Sequence, residues 1–223
     1  MIKSYYILIS IGSFFLSICY AQALKQTHIE HKKNYIFFLH NKFIEENDLE
    51  SEHSEYGKAE YLSIIKSFEK DGFIVLSEKR NKNTDVKNYA KKIVAQIDSL
   101  LNREIKPNHI TVIGTSKGGY IAQYVSTFLA NPNVNFVFVG AYMETDIENY
   151  PEINFCGNIL SIYEKSDFYG VSAKKRQTIS KLKVNRFKEI ELNTNLKHGF
   201  LFRPLKEWIN PCKMWAKRNY KFK

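Results

Sequence analysis

The chain has 223 residues, 44% of them hydrophobic and 25% charged, with 33 lysines and arginines against 23 acidic residues for a formal charge of +10. This length suits one domain with a full-sized core, and the composition excludes a disordered, fibrous or repetitive chain. The lysines are spread along the chain, which describes a solvated surface; a nucleic-acid partner would need them clustered with interleaved aromatics, and only the stretch 213–223 approaches that.

Lys3 is followed by an apolar run from Tyr5 to Leu16, too short to span a bilayer comfortably, and then by small residues at Ala21 and Ala23. Residues 1–23 therefore read as a secretory signal peptide with Ala21-Gln22-Ala23 at the cleavage site, leaving a secreted or periplasmic protein of residues 24–223 with no membrane span. A lipoprotein reading through Cys19 is set aside, because Ile18 stands where such a signal wants glycine, alanine or serine.

Along the mature chain, strand-like and helical segments alternate, which predicts a parallel sheet. Tyr35 to Leu39 is a continuous apolar run of the kind expected when both faces of a strand are covered. Glu46 to Tyr56, carrying His53 and several acids, reads as a solvated segment. Gly57 to Lys70 reads as helix and Phe73 to Leu76 as strand. From Asp85 to Asn102, Val86, Tyr89, Ile93, Ile97 and Leu100 recur at helical spacing with lysines between them, one apolar stripe for a sheet to cover.

His109 to Ile113 is the next strand, and it runs into Gly114-Thr115-Ser116-Lys117-Gly118 before a helix from Gly118 to Ala130. Strand, sharp turn, helix is the context in which a G-x-S-x-G serine projects its hydroxyl at the carboxyl edge of a sheet, with glycines giving the crossing chains room. Such an elbow needs a histidine later in the chain. Of the six histidines, His28, His31, His40, His53 and His109 all precede Ser116, so His198 is the base by elimination. The rhythm continues with strands Val134 to Val139, Asn158 to Tyr163 and Arg186 to Leu192, about six in all, and a last helix over Leu201 to Trp215. A phosphate-binding reading of Gly114 to Gly119 fails on spacing, because Lys117 precedes the second glycine.

With these elements in this order, the chain resembles the α/β-hydrolase superfamily, in particular its small esterase- and dienelactone-hydrolase-type members without a lid. The resemblance covers nearly the whole mature protein. It implies a three-layer α/β fold with a mostly parallel sheet and helices on both faces. It also implies an acid after the strand Ile159 to Tyr163, where Tyr163-Glu164-Lys165-Ser166-Asp167 makes Asp167 the acid, with Glu164 and Asp146 in reserve. Lys197-His198-Gly199-Phe200 resembles the family's His-Gly loop, in which glycine lets the chain turn so the imidazole reaches the serine.

The implied activity is a secreted serine hydrolase acting on an acyl bond, a carboxylic ester or a related group, with Ser116, His198 and Asp167 as the catalytic triad. Oxyanion stabilisation needs backbone N–H donors, and Lys117, whose N–H lies at the start of the elbow helix, supplies one. The second comes from the loop after the first strand, where the family often has His-Gly and this chain has His40-Asn41. Asn41 tolerates left-handed angles, and of Lys42 and Asn41 we take the Lys42 N–H. The same residues also suit an acyltransferase, and a noncatalytic hydrolase-like binding protein is the third alternative. No cofactor and no metal are expected, since histidine and cysteine spacing offers no ligand set; a small-molecule acyl substrate is the expected partner. In this architecture Cys156 precedes a strand at the lower end of the sheet and Cys212 lies late in a helix descending toward it. An exported protein could therefore bridge Cys156 and Cys212, the alternative being two buried thiols.

Overall fold

The computed structural model describes residues 33–222, so the expected signal peptide lies outside the described residues. In chain order the elements are β1 (Tyr35–Leu39), α1 (Lys42–Glu46), a hairpin of β2 (Glu52–His53) and β3 (Gly57–Lys58), α2 (Tyr61–Glu69), β4 (Ile74–Leu76), α3 (Val86–Asn102), β5 (Ile110–Thr115) and α4 (Lys117–Leu129). Then come β6 (Asn135–Val139), α5 (Asp146–Asn149), β7 (Gly157–Glu164), α6 (Lys174–Ile179), β8 (Val184–Leu192), a 3-10 segment Lys197–Phe202 and α7 (Lys206–Ala216).

Six strands pair in the order β4-β1-β5-β6-β7-β8, and every neighbouring pair is parallel. Because side chains alternate along a strand, β1 sends Ile36 and Phe38 to one face and Tyr35, Phe37 and Leu39 to the other. The first face is closed by α2 and α7 through Ile64, Phe68, Trp208 and Trp215. The second is closed by α3 and α4 through Ile93, Ile97, Ile121 and Val125. Both faces are therefore dry, which is why these strands are apolar without alternation. Each fully buried Phe or Leu on them contributes roughly 1.5–3 kcal/mol of transfer free energy.

Local chemistry sets the helix ends. Asp85 caps α3 by accepting the Asn88 N–H at 2.8 Å, satisfying one of the orphan donors of the first turn. Two expected helices are shorter than their sequence pattern. Gly57 and Lys58 pair with Glu52 and His53 instead of opening α2, and Gly57 takes a left-handed φ of 72° there. The segment after His198 begins as a 3-10 turn, and α7 starts only at Lys206, because Pro204 disfavours helical angles in Arg203 and brings no N–H of its own.

The cysteines follow the second of the two readings, two buried thiols. Cys156 and Cys212 are both buried and free. Cys212 lies in the α7 layer, whereas the backbone of Cys156 is held by the Ser126 hydroxyl of α4, which belongs to the opposite layer. The sheet stands between them, and burial pushes both thiols up from their ordinary range.

Candidate active site

Ser116 stands between β5 and α4 with φ 49° and ψ −120°, a backbone conformation that L-residues rarely adopt. Its N–H donates to Val139 O at 2.9 Å, which pins the turn to the end of the neighbouring strand β6. The turn closes only because its flanks lack side chains. A Cβ on Gly118 would lie 2.0 Å from the Leu39 carbonyl oxygen, and one on Gly114 would lie 2.2 Å from that of Gly118. With the crest this tight, the Ser116 hydroxyl is presented at the carboxyl edge of the sheet.

The histidine and the acid arrive from the ends of β8 and β7. Ser116 Oγ and His198 Nε2 are 2.9 Å apart, and His198 Nδ1 lies 2.6 Å from Asp167 Oδ2. An Nδ1–H donating to the carboxylate leaves Nε2 free to accept the serine proton. The other Asp167 oxygen accepts the Tyr169 N–H at 2.9 Å, so the carboxylate is held from two sides. The ring of Tyr169 meets the imidazole edge-on at 5.3 Å between centroids.

Both reserve acids have other work. Glu164, fully buried at the end of β7, accepts from the Thr194 N–H at 2.9 Å and the Thr194 hydroxyl at 2.7 Å, and from Ser166. Burial would raise its carboxyl, yet these donors hold it below its ordinary range. Through Ser166, whose Oγ accepts the Lys197 N–H at 3.1 Å, it ties the acid loop to the histidine loop. Asp146 accepts from the Tyr120 hydroxyl at 2.7 Å and the Met143 N–H at 2.8 Å, and anchors the loop after β6.

The histidine turn differs in detail from the expected one. Its left-handed residues are Asn195 (φ 58°) and Lys197 (φ 49°), whereas Gly199 serves a close approach: a Cβ there would sit 2.8 Å from Tyr56 Cδ1. The acidic segment, read from sequence as solvated, therefore packs on this loop. Tyr56 stacks on His53 at 4.4 Å and meets Phe202, and Glu55 pairs with Lys197 at 2.8 Å. That pair is exposed and contributes little to stability.

Lys42 and Lys117 are the first residues of α1 and α4, so neither N–H has an acceptor in its own helix. Both residues line, with Ser116, a cleft of about 760 Å³ that runs along α4 past Tyr120 and Tyr124 to Tyr150. Asn41 does not use left-handed angles; with φ −70° and ψ 174° it is the extended N-cap of α1, and its side chain accepts the Ile44 N–H at 3.1 Å. It stands in this loop for its capping oxygen. Among the described residues no group of three His, Cys, Asp or Glu could hold a metal ion, and no helix is long and apolar enough to cross a membrane.

His40 is buried beneath the same loop, donating from Nδ1 to Asn41 O at 2.8 Å and accepting the Arg80 N–H at Nε2 at 2.9 Å. One nitrogen must donate and the other accept, so the ring is neutral, and burial together with the Arg80 charge pushes its pKa from 6.5 down to about 4. Between those values the unfolded chain takes up a proton that the folded chain refuses, so acidification destabilises the fold. The expected loss from this group between pH 6.5 and 4 is up to about 3 kcal/mol. Urea denaturation of the native protein and His40→Gln at both pH values checks this, the variant being expected to lose that part of the slope.

Sequence reasoning missed Glu45, a fully buried carboxylate that pairs with Arg80 and with Lys117. Its only local signal is an acid in the first turn after an asparagine cap.

Solved structures match this chain along most of its length. They include a protein of unknown function described as a putative alpha/beta hydrolase from Agrobacterium tumefaciens, with TM-score 0.53 and 16% identity over 84% of this chain and 85% of that one. SOBER1 of Arabidopsis thaliana matches with TM-score 0.50 and 15% identity, over 85% of this chain and all (100%) of that one. An esterase/lipase from an uncultured bacterium matches with TM-score 0.52 and 12% identity, over 84% of this chain and 76% of that one. No family model and no curated protein matches the sequence. At these identities the likeness defines the architecture: the chain has the three-layer α/β-hydrolase fold in a small form. The connection from β6 to β7 carries one helix of 4 residues and no separate lid domain.

Proposed function

We propose that this protein is an exported serine hydrolase that cleaves an acyl bond, a carboxylic ester or a related group, through Ser116, His198 and Asp167. The observation that carries the reading is the continuous hydrogen-bonded line from Ser116 Oγ through the imidazole to Asp167, standing where strand, elbow and cleft meet. Solved proteins of the same fold described as hydrolase and esterase/lipase support it.

In the proposed reaction the Ser116 Oγ–H passes its proton to His198 Nε2 while Oγ bonds to the acyl carbon, and the carbonyl electron pair moves to oxygen. The Lys117 and Lys42 N–H groups receive that oxyanion, and preorganised donors of this kind are worth on the order of 10²–10³ in rate each. Collapse restores the carbonyl and expels the leaving group, which takes the proton back from the imidazolium. Water then attacks the acyl-enzyme with His198 as base again and releases the acid. Asp167 holds the proton on Nδ1 and balances the imidazolium charge. Export rests on the apolar run and small residues of segment 1–23.

Treatment of the folded protein with a fluorophosphonate probe tests the reading. The expected result is a single adduct on the peptide containing Ser116, lost when the protein is unfolded in urea first. A folded protein that takes up no probe would overturn it.

A further inference from the structure

The two backbone donors assigned to the oxyanion stand on different elements, Lys42 at the start of α1 and Lys117 at the start of α4. One buried side chain joins those elements. Glu45, on α1 and 0% exposed, accepts from Arg80 Nε at 3.0 Å through Oε2. Through Oε1 it accepts from the Thr84 N–H at 3.1 Å and from the Lys117 ammonium.

Arg80 carries the constraint into the loop. Its Nη2 donates to His40 O at 2.5 Å and reaches Asn41 O at 3.4 Å, and the Asn41 carbonyl also accepts from His40 Nδ1 at 2.8 Å. In a trans peptide the C=O and the following N–H point in opposite directions. Drawing the Asn41 carbonyl toward Arg80 and His40 therefore turns the Lys42 N–H away from them, and Lys42 borders the cleft that holds Ser116.

We infer that Glu45 is a positioning residue that ties the Lys117 side chain to α1 and so fixes the spacing of the two oxyanion donors. Lys117 thus acts twice, through its N–H on the oxyanion and through its ammonium on Glu45. The inference rests on the hydrolase reading above. Loss of the ammonium leaves Glu45 paired with Arg80 and Thr84, and the Lys117 side chain is 19% exposed, so its replacement does not strand a buried charge.

The test compares native protein, Lys117→Met and Lys117→Arg on p-nitrophenyl acetate, with kcat, KM, the rate of fluorophosphonate labelling of Ser116 and Tm measured for each. A donor displaced by about 1 Å costs up to about 100-fold. Lys117→Met is therefore expected to lower kcat and the labelling rate together, by about 10- to 100-fold, with KM within about threefold. Tm should stay within about 2 °C of native, and Lys117→Arg, which can still reach the carboxylate, should recover most of the rate. A purely structural lysine would move Tm without this split. If Lys117→Met keeps kcat within about threefold of an active native protein, the tie is refuted and the hydrolase reading stands. If the native protein neither turns over nor labels at Ser116, both fall.

Discussion

Ser116→Ala is expected to lower kcat/KM on an activated acyl ester by roughly 10⁴- to 10⁶-fold while leaving the fold intact. Alanine places a Cβ at the same left-handed position that serine already occupies, so the strained turn is no worse, and only the hydroxyl is lost. Asp167→Asn should come close behind, at about 10⁴-fold in kcat. An asparagine amide turned toward Nδ1 donates to it, which puts the ring proton on Nε2, where it can no longer accept from Ser116. Because the three groups act as one device, the double variant should be little worse than Ser116→Ala alone. Steady-state kinetics beside thermal melts check this, and a Ser116→Ala protein that keeps a tenth of native turnover would refute the nucleophile.

Gly118→Ala is expected to destabilise the protein by more than about 3 kcal/mol. The added methyl would stand 2.0 Å from the Leu39 carbonyl oxygen and 2.6 Å from that of His40, both backbone atoms that cannot rotate aside. Relief would require β1 and α4 to separate, and with them the elbow from the loop that carries Lys42. The urea midpoint and the soluble yield are the measurements; a variant within about 1 kcal/mol of native would show that the crossing is looser than this geometry.

The predictions on Ser116 and on the Glu45 cluster rest on different kinds of information. The turn at Ser116 is written locally, since a short strand, a sharp turn and glycines on either side of Ser116 are neighbours in sequence. The Glu45 cluster is not. Arg80, in a loop, and Lys117, at the start of α4, lie 35 and 72 positions from the carboxylate they share, and they meet it only once the strands beneath them are paired.

Sequence alone determined the alternation of strands and helices, the sharp turn at Ser116, and a single histidine downstream of it. Each follows from short-range sterics, from burial on both faces of a parallel sheet, or from counting. Tertiary structure decided what those rules do not reach. It gave Asn41 a cap where a left-handed turn was expected, laid Tyr56 against Gly199, and kept Cys156 and Cys212 on opposite layers. It also brought Glu45, Arg80 and Lys117 together. Local patterns record which face of an element is apolar, but the partner of a buried charge is chosen by the loops that converge on the carboxyl edge of the sheet, and that convergence exists only in the folded chain.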